Sequence, residues 1–117
     1  MMNMCNSSAA AAIVLAAGSM VMPATAGAAD GAAVFRTNCV SCHGKDGKGT
    51  PGLAPALKGD AFVTGKLDEV IATVRDGRSG DQKRFKDLPI AMPAWGKQLS
   101  ADDIKAVVDY IRGDLQK

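Results

Sequence analysis

Residues 39–43 read Cys-Val-Ser-Cys-His, and they hold every thiol after Cys5 together with the sole histidine of the 117-residue chain. Three chemistries use such a pair: a structural or redox disulfide, half of a zinc site, or covalent haem attachment through C-x-x-C-H. Zinc takes four protein ligands in structural sites, or three and a water in catalytic ones. Three N/S ligands within one helical turn crowd onto one side of a metal, and closure would need a carboxylate from elsewhere. A thioredoxin-like dithiol accompanies a βαβ pattern, and no stretch here shows strand alternation. Haem attachment explains the order of the residues as well as their identity. Cysteines at i and i+3 project from one turn, so both thiols reach the vinyl groups on one porphyrin edge. The next residue is then carried toward the iron. On this reading Cys39 and Cys42 are thioether anchors and His43 is the proximal ligand.

Such an iron has a sixth position, for which Met92, a lysine, an asparagine or water compete. Met92 is the single methionine after residue 22. It precedes Pro93, which biases it toward extended backbone, so its side chain can reach across the far side of the ring. Core filling is the bland alternative for a methionine; ligation by Met92 is the reading adopted.

Two nearby patterns mislead. Gly47, Gly49 and Gly52 spell G-x-G-x-x-G, but no strand precedes them, Pro51 interrupts them and no helix follows, so the dinucleotide context fails. Residues 44–50 resemble a phosphate loop without its Gly-Lys pair. The glycines read better as a turn whose missing side chains let the backbone pass close to the cofactor.

The elements that must position these groups are helices. The first is expected from Gly31 into the Cys39–His43 segment, with Asp30 as N-cap and Val34 and Phe35 facing inward. A second is expected over Leu67–Asp76, where Leu67, Val70, Ile71 and Val74 fall at helical spacing and Gly77 supplies the stop. The third starts at Ser100, with Asp103 three residues on, and carries an apolar stripe of Ile104, Val107, Val108 and Ile111. Between them, residues 44–66 and 77–99 are rich in Gly and Pro. Connections of that length are usually functional or wrapped around something.

Residues 1–28 read as a cleaved secretory signal peptide and 29–117 as the working domain. The leader has no charged side chain, an apolar stretch from about Ala9 to Met22, and small-x-small sites at Ala24–Ala26 and Ala26–Ala28. The apolar stretch is short of the roughly 20 residues that span a bilayer. Cys5 precedes it and leaves with it. A secreted domain of this size, with few aromatic residues, needs a staple such as a disulfide, metal or cofactor.

The stretches GAAVFRTNCVSCHGKDGKG, APALKG and MPAWGKQLSADDIKAVVDYI resemble class I bacterial cytochromes c, especially the single-haem domains of oxidases and dehydrogenases. The resemblance covers the chain after the leader. It implies an all-α fold of three main helices and long loops around one haem c per chain. By it Cys39 and Cys42 bind the haem, His43 and Met92 are the axial ligands of the iron, and Pro55 is the residue whose carbonyl accepts the imidazole Nδ1–H. Gly31 and Phe35 match first-helix positions that meet the last helix at Tyr110. The stretch RSGDQKRFKDLPIA before Met92 departs from the family by its length.

With both axial positions filled, substrate has no open site, and neither paired carboxylates nor a Ser/His/Asp set appears elsewhere. The expectation is a periplasmic one-electron carrier rather than an enzyme, with a haem subunit docked in an oxidoreductase complex as the alternative. Its partners are redox proteins, donor and acceptor, and it is expected to be a monomer without stable membrane insertion. The formal charge of +2 is offset by two haem propionates. Basic and acidic residues are interspersed, which argues against nucleic acid. Lys83, Arg84 and Lys86, in the connection leading to Met92, form a basic cluster that could steer an acidic partner.

Overall fold

The structure is a computed structural model that describes residue 18 and residues 29–117. The expected leader, Cys5 and the cleavage site lie outside the described residues.

Helix formation follows local signals. In α1 (Gly31–Asn38) the Asp30 carboxylate accepts from the backbone N–H groups of Ala32 and Ala33, satisfying donors the first turn leaves free. Helical continuity breaks at Cys39, and a single further turn, α2 (Val40–His43), carries the motif to His43. The helix α3 (Leu67–Asp76) starts without a side-chain cap and stops at Gly77. The last, α4 (Ala101–Arg112), opens with the reciprocal box of the sequence reading: Asp103 N–H donates to Ser100 Oγ and Ser100 N–H to Asp103 Oδ2. Short 3₁₀ turns occupy Gly80–Gln82, Trp95–Lys97 and Asp114–Gln116. Among the described residues there is no strand, only two isolated antiparallel bridges, Thr50 with Ala54 and Arg78 with Met92.

The core forms where α1 crosses α4. Phe35, Val107 and Val108 are completely enclosed, and Ile104, Ile111, Val70, Val74, Val63 and Leu115 surround them. Gly31 makes the close approach possible: a Cβ there would overlap the Ala106 carbonyl and stand 2.9 Å from Tyr110 Cβ. Phe35 and Tyr110 meet with ring centroids 5.4 Å apart. The α3 stripe differs from expectation at one end. Val70 and Val74 are buried, but Leu67, the first helical residue, is 37% exposed. No helix among the described residues is long and apolar enough to cross a membrane.

Candidate haem site

All five residues singled out in the sequence, Cys39, Cys42, His43, Pro55 and Met92, line one cavity of ≈ 430 Å³. That volume lies in the range of small-molecule sites, about 300–1,000 Å³. The remaining wall is largely apolar, with Val63, Val70, Val74, Trp95 and Ile111 among its residues.

The motif end is held by backbone. His43 N–H donates to the Cys39 carbonyl at 2.9 Å, closing the turn that sets both sulfurs beside the imidazole. Cys39 is buried and Cys42 is half-buried, and both are free thiols. Burial, and secondarily the neighbouring Cys42, pushes the Cys39 thiol up to about 11, so it stays protonated at neutral pH. Among the described residues no group of three or more His, Cys, Asp and Glu side chains gathers into a metal-holding cluster.

His43 is the one buried polar side chain among the described residues. Its Nδ1 lies 2.9 Å from the Pro55 carbonyl oxygen. An N–H on Nδ1 satisfies that carbonyl and leaves Nε2 as a neutral acceptor. Burial lowers the imidazole pKa, and the Pro55 bond opposes this more weakly. The net lowering and the Nδ1–H tautomer both suit a metal ligand, which must be unprotonated at the coordinating nitrogen. The glycine turn acts behind His43 rather than against the cavity. Gly49, at φ 77°, would set a Cβ 2.8 Å from the Pro55 carbonyl carbon, and its N–H donates to the His43 carbonyl at 2.8 Å. A Cβ at Gly47 would meet the Leu115 side chain. Gly49 thus lets the chain pack against the Pro55 carbonyl group, and neither glycine belongs to the cavity wall.

Met92 comes from another part of the chain. Arg78 and Met92 exchange both backbone hydrogen bonds at 3.0 Å, which keeps Met92 extended next to the end of α3. Arg78 also lines the cavity, and its guanidinium donates to the Gly77 carbonyl and Thr73 Oγ1. The basic cluster is arranged differently from the sequence expectation. Lys83 Nζ donates to the Leu88 carbonyl and Arg84 pairs with Asp60, so two of its three cations are engaged within the protein. The sequence reading missed Asp60 and Phe62 as wall residues, because nothing near them in the chain marks them. Arg84, singled out there in the connection leading to Met92, does line the cavity.

The family model described as cytochrome C oxidase, cbb3-type, subunit III matches residues 26–111. The chain belongs to this family of c-type cytochromes. It is 39% identical over 88 residues to cytochrome c6 of Microcystis aeruginosa, covering 75% of this chain and 98% of that protein. With the cbb3-type cytochrome c oxidase subunit FixP of Azorhizobium caulinodans it shares 35% identity over 89 residues, 74% of this chain but 27% of that one. The crystal structure of cytochrome c6C from Synechococcus sp. PCC 7002 superposes with a TM-score of 0.54 at 26% identity, covering 74% of this chain and 94% of the other. The protein is thus an all-α monohaem cytochrome c, with one covalently attached haem c, and an electron carrier.

Proposed function

We propose that this cytochrome shuttles single electrons between redox partner proteins in the periplasm, its haem c held by Cys39 and Cys42 and ligated by His43 and Met92. The observation that carries the reading is the convergence of those four side chains on one largely apolar cavity. When bound, haem c supplies the ferrous/ferric couple. The protein's part is binding and tuning. Cys39 and Cys42 would anchor one edge, with each thiol S–H adding across a vinyl group. His43, oriented by Pro55, would offer Nε2. Met92 would present a thioether, whose softness favours the reduced state. A low-dielectric wall limits solvent reorganisation as charge changes. With both axial positions filled no substrate binds the iron, so the protein relays electrons without catalysis of its own.

A second reading, a haem subunit resident in an oxidoreductase complex, draws on the family model and on FixP. Affinity chromatography of the tagged protein from native soluble and membrane fractions tests the choice. A carrier elutes from the soluble fraction alone, whereas co-elution with a membrane enzyme at fixed stoichiometry establishes the subunit.

A further inference from the structure

Across the cavity mouth, a cluster joins two segments that the sequence keeps apart. Arg84 donates Nη1 to Asp60 Oδ1 at 3.1 Å and Nη2 to Oδ2 at 2.9 Å. Its guanidinium carbon lies 5.0 Å from the Phe62 ring centroid and 4.9 Å from that of Phe85. All four side chains line the cavity. Exposed ion pairs contribute little, about 0–1 kcal/mol. Here Asp60 is only 16% exposed against 48% for Arg84, and two parallel bonds to a planar fork, with aromatic faces beside it, make a stronger geometry.

The two ends of this contact differ in rigidity. Asp60 Oδ1 also accepts from the N–H groups of Phe62 and Val63, and Val63 is in the core. Arg112 of α4 donates to the carbonyls of Val63 and Gly65. Gln116 accepts from Gly59 N–H and donates to the Leu57 carbonyl. Residues 57–65 are thereby fastened to the α4 end of the molecule. Residues 79–91 contain no buried side chain. Among the described residues, Arg84 makes the only side-chain hydrogen bonds from that segment to the rest of the protein. The segment leads directly into Met92.

We propose that Arg84 is a positioning residue: by gripping Asp60 it holds residues 79–91 across the cavity mouth and so restrains both the departure of Met92 from the iron and the access of small ligands. This rests on the reading of Met92 as sixth ligand. The carboxyl pKa of Asp60, lowered chiefly by its hydrogen bonds from Arg84, agrees with a pair formed throughout the neutral range.

The test uses full-length protein with its haem attached. Arg84→Gln and Asp60→Asn should each accelerate imidazole binding to the ferric form about tenfold. Both should also speed amide hydrogen exchange across residues 83–91 while leaving α1 and α4 unchanged. Arg84→Lys, which keeps the charge but loses the fork, should fall between. Where Met92→Ala removes the sulfur-to-iron absorption, unaltered imidazole binding in both variants overturns the proposal. Met92→Ala separates the two levels: if it leaves the sulfur-to-iron absorption intact, the ligand reading has failed, and the exchange result then decides alone whether Arg84 holds the segment.

Discussion

Gly77 passes so close to Met92 that a Cβ at position 77 would overlap the Met92 carbonyl oxygen and stand 2.8 Å from the Ala94 nitrogen. The same glycine, at φ 72°, occupies the left-handed region, where a side chain is strained. Any side chain at 77 therefore pushes on the segment that carries Met92, the proposed sulfur ligand.

Gly77→Ala should cost roughly 2–4 kcal/mol, combining backbone strain with overpacking against main chain that cannot rotate away. Urea unfolding of the holoprotein measures the cost. The sulfur-to-ferric-iron absorption should weaken in parallel, because Met92 moves with its carbonyl. Stability and absorption both at the wild-type level would show that the contact relaxes freely.

Covalent attachment has a direct test. Protein matured outside the cytoplasm should keep its colour through acid-acetone extraction, and the double variant Cys39→Ala with Cys42→Ala should lose it. A coloured residue from the double variant would disprove the thioether assignment.

Met92→Ala should abolish the sulfur charge-transfer absorption, lower the midpoint potential and let carbon monoxide bind the ferrous iron. The direction of the potential follows from ligand softness, since a thioether favours the ferrous state over the harder donor that replaces it. Spectrum and potential identical to wild type would transfer the sixth position to another residue.

Acid stability reports on Asp60 and Arg84. Hydrogen bonds from Arg84 are the largest cause holding the Asp60 pKa below its ordinary 3.8. A carboxylate with a depressed folded pKa contributes stability above its unfolded value, and loses it as pH falls through the lower folded one. Arg84→Gln removes that cause, so its acid-unfolding midpoint should move up, by roughly a few tenths of a pH unit for a half-exposed pair. Below both pKa values the difference should close. Coincident acid-unfolding curves would mean that the pair is not formed in solution.

What could be read from the sequence was what short range encodes. The motif turn, the Asp30 cap and the Ser100–Asp103 box each join residues within four positions. Their partners were adjacent on the page. Met92, which lines the cavity, was singled out because a lone methionine before proline is chemically conspicuous, and Pro55 only because the surrounding residues resembled a family. The Asp60–Arg84 pair, 24 residues apart, could not be seen. Lys83 and Arg84 looked like free surface charge because interspersed acids say nothing about which of them a cation meets. Leu67 fitted the apolar period of α3 yet stands open, since periodicity gives a face but not whether a neighbour reaches the first turn.

The double hydrogen bond between Arg78 and Met92 makes the chain leave and return at one point. Everything from residue 79 to 91 is therefore an excursion whose length does not set where the Met92 backbone lies, while the Arg84 grip on Asp60 limits how far it swings. Closing a longer excursion adds little entropy cost, which grows only with the logarithm of loop length. Residues inserted here, away from Arg84, would therefore alter the surface beside the cavity while the paired backbone that carries Met92 stays in place.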